Sequence, residues 1–521
     1  MTKFKTHKKK GAAAIITAAV LALIALFGMA ACSNAAQSGT GTGGSTAVPE
    51  APFVEGGASL ILSPDKLDIK VKVITADGSS VTVEGCEETT LTSGTETVLH
   101  AKGTLVILKG KIIEMYCGAY EYNGIYNDIQ NKLTALNVQG LTALQELHCG
   151  RNRLTELNVQ GLTALKELVC HGNRLTALDV QGCASLQTLY CYYNQLTALD
   201  VQGLTALESL HCGSNQLTEL NVQGLTALQW LYCHSNRLTA LDVQGLTALK
   251  KLWCYKNQLI ALNVQGLTAL QELSCNGNQL TELNVQGCAS LQTLYCYYNQ
   301  LTALDVQGLT ALERLRCGNN QLTELNVQGL TALQELSCHE NLLTELNVQG
   351  LTTLYVLGCG NNQLTALNVQ GLSALQTLYC YYNQLTALDV QGLTALEILH
   401  CGSNQLTALN VQGLNALQNL GFGNNQLTAL NVQGLSALRY LTCWSNQLNA
   451  EAFIKIFNDL PTWTESDNAC CSLYTEQTGV TEGNYTDFTT PSEVQAAFQN
   501  AKDVKKWKMY KYNGNWPGEK I

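Results

Sequence analysis

Charged residues and proline are scarce in this 521-residue sequence, and the motifs that identify common enzyme classes are missing from it. Only 13% of the residues are charged and six are proline. The metalloprotease motif H-E-x-x-H, the nucleophile turn G-x-S-x-G and the phosphate-binding Walker loop are all absent. The C-x-x-C pair of structural zinc sites is absent too, although the sequence contains 21 cysteines. We therefore expect no enzyme activity, no metal site and no cofactor.

The sequence also has no excess of positive charge, and this limits the kinds of partner that it can attract. Residues 1–31 contain five lysines and no acidic residue, so without this segment the formal net charge of −10 becomes −15. Nucleic acids and anionic membrane surfaces attract basic proteins. The acidic charge therefore argues against both as the main partner.

The first 31 residues have the composition of an export signal. Lysines precede an apolar stretch at 12–27, and Met29-Ala30-Ala31-Cys32 is followed by a polar Gly/Ser/Thr segment. The four residues that end in Cys32 resemble the bacterial lipoprotein signal, in which the cysteine becomes the lipid-bearing N-terminus. The resemblance implies a signal peptide at 1–31, lipidation of Cys32 and anchoring to a bacterial membrane, at the outer membrane or cell surface. A flexible tether would then occupy 32–57. An uncleaved anchor helix and an ordinary secretory signal are the alternatives.

A 21-residue repeat fills most of the remaining chain. One unit is LQELHCGRNRLTELNVQGLTA, residues 144–164. Leucines recur at 147, 168 and every 21st residue to 441, and asparagines at 131, 152 and every 21st residue to 446. A fixed period of about 20 to 50 residues is typical of solenoid proteins.

The segment L-x-x-L-x-C-x-x-N-x-L of each unit resembles the leucine-rich repeat, with cysteine in place of that family's third leucine. The other ten residues resemble the convex segments of bacterial surface repeats such as the internalins. The resemblance implies a leucine-rich-repeat solenoid at 132–448, with a curved parallel β-sheet on the concave side, about fifteen 21-residue repeats and little helix. A β-rich N-terminal cap with an irregular first repeat would occupy 58–131, and an α/β C-terminal cap 449–521.

Elementary physical arguments favour the same fold. Alternation in Leu147-His148-Cys149 is a strand pattern, which points leucine and cysteine to one side and histidine to the other. One such strand cannot bury its apolar face, whereas stacked copies form a parallel sheet over a continuous core. The asparagine after each strand can bond the turning backbone, and the glycine of V-Q-G suits a positive-φ bend.

The cysteines could form disulfides, a metal site, a redox centre or plain core. Those at 149, 170, 191 and onward to 443 form a column of fourteen that Phe422 interrupts. Phenylalanine can replace a core residue but neither a metal ligand nor a disulfide partner, and cysteine is a small residue that is often buried. We therefore predict a buried column of reduced thiols. Four cysteines lie outside the repeat columns, and their state stays open: Cys86, Cys117, Cys470 and Cys471.

The C-terminal cap is predicted to contain two helices and a strand. Residues 449–461 place apolar side chains on one helical face. Thr490-Pro491-Ser492-Glu493 is typical of a capping box with proline at the first helical position. In the strand-like segment 505–511 lysines alternate with Trp507 and Tyr510, a pattern that could bind a polyanion or glycan. A solvated edge of the cap is the favoured interpretation.

The concave surface is unusually aromatic. Tyrosine and tryptophan are typical anchors of interfaces because they give large contact areas at low entropy cost. Stacked tyrosines could instead stabilise the sheet, or be relics of duplication. Six histidines share this face, but they rarely occupy matching positions beside a carboxylate, which argues against a metal site. The candidate ligand-binding residues are Tyr190, Tyr192, Trp230, Tyr232, Trp253, Tyr255, Tyr295, Tyr297, Tyr379 and Tyr381.

The resemblance to surface leucine-rich-repeat lipoproteins implies a non-enzymatic, surface-anchored protein that engages a host or bacterial surface protein in adhesion or host interaction. A glycan- or peptidoglycan-binding envelope protein, which would use the aromatic row as stacking platforms, is the alternative. A purely structural envelope protein is a third interpretation. An insert at 118–130, which carries Tyr120, Tyr122 and Tyr126, could also contact a ligand or be a plain cap loop.

Overall fold

A computed structural model describes residues 50–122, 125–127, 129–515 and 517–521 of the chain. The predicted signal peptide, Cys32 and tether residues 33–49 lie outside these ranges. Residues 50–57 do not continue the tether as predicted, because Ala51 and Val54 are buried and the Ala51 carbonyl accepts a hydrogen bond from the Asn137 side chain at 3.2 Å. In the described part of the chain, no helix has the length and apolar character needed to span a bilayer.

The N-terminal cap consists of strands, as predicted. A five-stranded antiparallel sheet has the order β10-β1-β6-β3-β4. Strands β2, β5 and β7 form a second sheet of the cap, in which β2 pairs with β5 and with β7. Strand β7 also pairs with the first repeat strand, so this second sheet continues into the concave sheet of the solenoid. The strands of the cap are β1 (Gly57–Ile61), β2 (Asp68–Thr75), β3 (Val81–Glu84), β4 (Thr90–Leu91), β5 (Thr97–His100), β6 (Leu105–Lys109), β7 (Ile112–Tyr116) and β10 (Ala135–Asn137).

A long parallel sheet forms the concave face of the solenoid. Fifteen three-residue strands follow one another at 21-residue intervals, each leucine directly beside the next, which confirms the predicted fold class. The strands are β11 (Glu146–His148), β12 (Glu167–Val169), β13 (Thr188–Tyr190), β14 (Ser209–His211), β15 (Trp230–Tyr232), β16 (Lys251–Trp253), β18 (Glu272–Ser274), β20 (Thr293–Tyr295), β21 (Arg314–Arg316), β22 (Glu335–Ser337), β23 (Val356–Gly358), β24 (Thr377–Tyr379), β25 (Ile398–His400), β26 (Asn419–Gly421) and β27 (Tyr440–Thr442).

Two smaller strand pairs lie beside this sheet. The parallel strands β17 (Ala261–Asn263) and β19 (Glu282–Asn284) pair after the concave strands of their repeats. The antiparallel strands β8 (Tyr120–Tyr122) and β9 (Ile125–Asn127) form a hairpin within the insert at 118–130. Turns occupy the convex segments, and the V-Q-G glycine has the predicted positive φ, for example +79° at Gly161.

All twenty described cysteines are buried and none forms a disulfide. Two of the four cysteines that the sequence analysis placed outside the repeat columns lie within them. Strand β7 places Met115 beside Leu147, so Cys117 lies next to Cys149 as the first member of the cysteine column. Cys471 lies beside Leu441 in the leucine column. Burial raises the pKa of Cys212 to about 12, so this thiol stays protonated.

The buried thiols predict a simple labelling result. A thiol reagent should modify few of the twenty described cysteines in the native protein and most of them after denaturation, because the folded chain buries all twenty and keeps the reagent away. Mass spectrometry of labelled peptides would measure this. Disulfides between successive repeats would contradict the assignment of the column to the core.

A column of asparagines stabilises the turns that follow the concave strands. The Asn278 amide donates to the carbonyl of Cys275 in its own repeat at 2.9 Å, and to that of Cys254 in the preceding repeat at 3.1 Å. Its oxygen accepts from the Leu259 backbone N–H at 3.0 Å. The same three bonds recur along the column, for example at Asn257. Each asparagine therefore satisfies backbone groups of two neighbouring repeats.

The C-terminal cap contains helix α1 (Ala450–Asp459), a short 3₁₀ turn (Glu465–Asp467), strand β28 (Cys470–Thr475), helix α2 (Ser492–Gln499) with a π-helical extension (Asn500–Val504), and strands β29 (Lys508–Tyr512) and β30 (Glu519–Lys520). Asn449 caps α1 by accepting from the Ala452 N–H at 2.9 Å. The predicted capping box of α2 is wrong. Pro491 is the N-cap residue and makes no side-chain cap, while the Thr490 hydroxyl donates to Asp487.

Side chains of the lysine-rich segment 505–511 form hydrogen bonds and ion pairs with other residues of this cap. Trp507 is buried, and its indole N–H donates to the Pro461 carbonyl at 2.8 Å, so the tryptophan does not form an exposed stacking surface. Lys505 donates to two backbone carbonyls, and Lys511 forms ion pairs with Glu476 and Glu519. These contacts agree with the favoured interpretation of this segment as an edge of the cap.

Candidate functional site

Four positions of each repeat face away from the leucine core on the concave side. In the repeat of β11 they are Glu146 before the strand leucine, His148 after it, Gly150 after the cysteine, and Arg151 at the turn. We name them the pre-leucine, post-leucine, post-cysteine and turn positions. Since the strands are parallel and in register, each position forms a column along the sheet.

Aromatic rings occupy these columns from β12 to β16, and we call this set the aromatic patch. Tyr192 has its ring centroid 4.4 Å from that of His171 and 4.1 Å from that of His211. His211 lies 5.0 Å from Tyr232, which lies 4.7 Å from Trp253. Ring contacts therefore run without a break across five repeats. The patch consists of His171, Tyr190, Tyr192, His211, Trp230, Tyr232, His234, Trp253 and Tyr255.

The two tryptophans of the patch are held by polar neighbours. The Trp253 indole N–H donates to Glu272 Oε1 at 2.7 Å, and the Lys250 ammonium lies 5.6 Å from the Trp230 ring centroid. Both indoles are partly exposed on the sheet surface. They are thus oriented by contacts outside the leucine core and remain accessible to a partner.

The other four candidate residues lie farther along the sheet in two separate groups. Tyr295 and Tyr297 project from the repeat of β20, and the preceding repeat has Ser274 and Asn276 at the matching positions. The Arg316 guanidinium lies 5.1 Å from the Tyr295 ring. The structure therefore joins six of the ten candidates in the patch and separates the tyrosines of β20 from them.

Tyr379 and Tyr381 form the second separate group. Their ring centroids are 6.3 Å apart, and that of Tyr379 is 5.3 Å from His400. Next to this group is a hollow of about 340 Å³, lined by His400, Asn419, Leu420, Tyr440 and Thr442. The hollow adjoins Gly421, which occupies a post-leucine position without a side chain.

Glycine at the post-cysteine position lets the rings lie flat. A Cβ added at Gly213 would lie 2.7 Å from His234 Nε2, and one at Gly360 would lie 2.9 Å from the Tyr381 ring. Each ring thus covers the bare backbone of the preceding repeat, at a distance that no other residue permits without displacing the ring. Glycine one repeat before an aromatic residue in this column therefore makes room for the ring.

Two histidines of the patch, His211 and His234, are neutral at physiological pH. Burial, and to a smaller extent His234 and His171, lower the pKa of His211 to about 3. Burial also lowers the pKa of His234. The imidazole rings therefore act as uncharged stacking partners, and the patch offers an apolar surface with few charges.

The third tyrosine of each Tyr-x-Tyr-Tyr segment is more exposed than the candidates named from sequence. Tyr193, Tyr298 and Tyr382 occupy the turn position and are 64%, 60% and 56% exposed. Their φ angles of 52°, 54° and 50° are in the left-handed region, where bulky residues are strained. The sequence signal was available, because these three tyrosines are the only aromatic residues at the turn position in the repeats of β11 to β27, where the other residues are glycine, small polar or charged. Every non-glycine residue at the turn position from Arg151 to Ser445 has a φ between 49° and 59°, so the exposure of these tyrosines, and not the backbone angle, makes them candidates for binding.

Comparisons with known proteins support a single fold family. Residues 184–225 and 289–331 match the family model described as leucine rich repeats (2 copies). The structure is similar to the functional domain of InlJ from Listeria monocytogenes, which includes a cysteine ladder, with 30% identity and a TM-score of 0.54 over 70% of this chain and 73% of that chain. A leucine-rich-repeat protein of Leptospira interrogans is 31% identical, with a TM-score of 0.55 over 62% of this chain and 89% of its own.

YopM from Yersinia enterocolitica shares the fold at 23% identity, with a TM-score of 0.58 over 69% of this chain and 77% of its own. No curated protein sequence matches the chain.

Proposed function

This chain belongs to the bacterial leucine-rich-repeat proteins, and from that premise we propose that it is a non-enzymatic binding protein that engages a protein partner through the aromatic patch. Leucine-rich-repeat solenoids are typical protein-interaction scaffolds, and the family in general is not enzymatic. The concave sheet is open along its length, whereas most catalytic sites are enclosed. Adhesion or host interaction at the cell surface is the role proposed for this binding.

The continuous ring contacts of the patch carry the proposal. Five strands spaced about 4.8 Å apart give a surface about 19 Å long, which suits the central hot spot of a protein interface. Hot spots are rich in tryptophan and tyrosine because these side chains bury large areas with few rotatable bonds. Neutral histidines keep the surface free of buried charge, which favours a partner segment that is itself apolar or aromatic.

Glycan or peptidoglycan binding is the second candidate, and the exposed turn tyrosines favour it. Tyr193, Tyr298 and Tyr382 are five and four repeats apart, so they offer separate stacking faces along the sheet rather than one hot spot. A protein partner would depend on the patch tryptophans, whereas an extended glycan would depend on these three tyrosines.

A binding panel separates the two candidates. The purified chain is titrated against immobilised extracellular host proteins, bacterial surface proteins, and arrays of glycans and peptidoglycan fragments. We expect saturable binding to a protein that weakens when Trp230 and Trp253 are changed to alanine. Binding confined to glycans, and weakened by Tyr193→Ala but not by the tryptophan changes, would support the second candidate and contradict the first.

We also propose that the chain is exported and anchored to a bacterial membrane through a lipid on Cys32, a residue outside the described ranges. The proposal is supported by the sequence around Cys32. We expect the mature protein to partition into a detergent phase, and Cys32→Ala to release it or leave it unprocessed. Phase partitioning and N-terminal mass analysis measure this. Wild-type protein in the aqueous phase with residues 1–31 removed would contradict the anchor.

A further inference from the structure

Two carboxylates and one imidazole converge at the N-terminal end of the concave sheet, outside the aromatic patch. Glu146 and His148 belong to β11, and Glu167 lies directly beside Glu146 on β12. His148 Nε2 is 3.6 Å from Glu146 Oε2 and 3.6 Å from Glu167 Oε1. One potential ligand atom from each of the three residues lies within 4.8 Å of the others. Among the described residues, no other set of histidine, cysteine and carboxylate groups converges in this way.

We propose that Glu146, His148 and Glu167 bind a divalent transition-metal ion of the zinc class. This inference goes beyond the proposed function and does not depend on it. It also differs from the expectation of no metal site that the sequence analysis gave.

The distances fit a shared ion better than direct hydrogen bonds. A separation of 3.6 Å is longer than the roughly 2.7–3.2 Å of an N–H···O hydrogen bond. Two ligands that each bond zinc at about 2.0–2.1 Å lie about 3.3 Å apart at the tetrahedral angle. The imidazole nitrogen is therefore within a few tenths of an ångström of the ligand spacing to each carboxylate oxygen. The three ligand atoms lie within 4.8 Å of one another, so the two carboxylate oxygens need to approach each other by at most about 1.5 Å.

Neighbouring groups hold these side chains in place. The Tyr116 ring stacks on His148, with centroids 4.4 Å apart and planes 12° apart. The Tyr116 hydroxyl is also 2.8 Å from Glu146 Oε2 and 2.9 Å from Glu114 Oε2. The His148 side chain is only 3% exposed, while the two glutamates are about one-third exposed. An ion could thus enter from the solvent side and meet a fixed imidazole.

The charge distribution also favours a cation here. Glu114, Glu146 and Glu167 are register neighbours on three adjacent strands, and like charges at such positions repel. No lysine or arginine forms an ion pair with any of the three within the described part of the chain.

Two other glutamates in the pre-leucine column lie beside basic residues and show the contrast. Glu272 pairs with Lys251 at 3.2 Å, and Glu335 pairs with Arg316 at 2.6 Å. In those repeats a neighbouring side chain supplies the positive charge. At the N-terminal end, a bound dication would supply it.

The ligand set selects the class of ion. Calcium and magnesium prefer shells made only of oxygen, whereas an imidazole with carboxylates suits zinc and its first-row neighbours. Three protein ligands leave one position of a tetrahedral shell for another donor. Water, or a donor group from a molecule bound on the sheet, could complete the coordination.

Titration calorimetry with zinc chloride on the full chain tests the proposal. We expect one ion per chain, and a loss of affinity of more than about 100-fold in Glu146→Gln and in Glu167→Gln, because even residues that only orient a metal ligand are worth about 10- to 100-fold. Tyr116→Phe should weaken binding by about tenfold. Glu335→Gln removes a carboxylate from the same column and should leave zinc affinity unchanged. The glutamine variants keep the shape of partly exposed side chains, and circular dichroism confirms their folding.

Cobalt binding tests whether cysteine thiolates coordinate the ion. Cobalt bound at this site should give weak ligand-field absorption in the visible range without an intense thiolate charge-transfer band, since the thiols are buried and protonated. His148→Gln should abolish the visible bands. The absence of stoichiometric binding would overturn the proposal, as would affinity unchanged in Glu167→Gln or a strong thiolate band. Because no partner takes part, failure here leaves the proposed function untouched.

Discussion

Replacing Trp230 and Trp253 together by alanine is expected to lower the affinity for a protein partner by about 30- to 1,000-fold, which corresponds to about 2–4 kcal/mol. The two indoles lie on adjacent repeats within the aromatic patch, where the Trp253 ring contacts that of Tyr232 and the Lys250 ammonium lies 5.6 Å from the Trp230 ring centroid. Their truncation removes contact area from the two C-terminal repeats of the patch and leaves the leucine core complete. Surface plasmon resonance or calorimetry with a confirmed partner would measure the loss.

A matched control is the double change Tyr379→Ala and Tyr381→Ala. These tyrosines lie in a smaller group with His400, so their loss should cost less affinity. Thermal unfolding must show that both double variants are folded, since Trp253→Ala also removes the bond to Glu272. If the tryptophan variant is folded and binds as tightly as wild type, the patch is not the binding site. The insert at 118–130 or the segment 505–511 would then be the next candidate.

The change Asn278→Ala is expected to destabilise the solenoid by about 1–3 kcal/mol, the cost of leaving buried backbone groups unsatisfied. The Asn278 amide bonds the Cys254 and Cys275 carbonyls and the Leu259 N–H, and alanine offers no substitute. The repeat of Asn278 has no aromatic residue on the concave face, so partner binding should be unaffected in the folded protein. Chemical denaturation followed by circular dichroism would measure the change.

Asn263→Asp provides the control for this stability experiment. Asn263 is an exposed asparagine outside the core, and the preceding repeat has Asp242 at the same position. The change should therefore alter the free energy of unfolding by less than about 0.5 kcal/mol. An Asn278→Ala denaturation curve that overlays both the control and the wild type would contradict the structural role of the asparagine column.

Much of the fold could be predicted because each feature repeats within one chain. The 21-residue period, the strand alternation and the asparagine column describe local interactions between neighbouring repeats, and the structure contains all three. The presence of phenylalanine at position 422 of the cysteine column indicated that the column belongs to the core. The Phe422 side chain is fully buried. Physical reasoning sufficed there because the same bonds recur in every repeat.

Prediction was weaker where the repeat is interrupted. The insert after Cys117 places Asn131 fourteen residues later instead of three, which hid the place of Cys117 at the start of the cysteine column. Ala51 and Val54 were assigned to the tether because the preceding residues are polar. Their burial depends on cap residues that are distant in sequence, such as Asn137.

The sequence predicted which face of the sheet carries the candidate site, but not how its side chains pack or how exposed they are. The sequence placed the aromatic residues on one face, yet it did not show that rings lie over glycines such as Gly213 or that Tyr193 is more exposed than Tyr192. It also missed the cluster of Glu146, His148 and Glu167. The motif Glu-Leu-His in one repeat, with glutamate 21 residues later, is the signal that could have revealed it.

Photo-crosslinking from defined positions tests the central claim most directly. Benzoylphenylalanine is introduced in place of Tyr193, which is exposed beside the aromatic patch, or in place of Thr226, which is exposed in the convex segment of a nearby repeat. Each protein is irradiated with a confirmed partner and the crosslinked product is quantified. We predict a strong crosslink from position 193 and none from position 226. A crosslink from position 226 with none from position 193 would contradict binding through the concave aromatic patch.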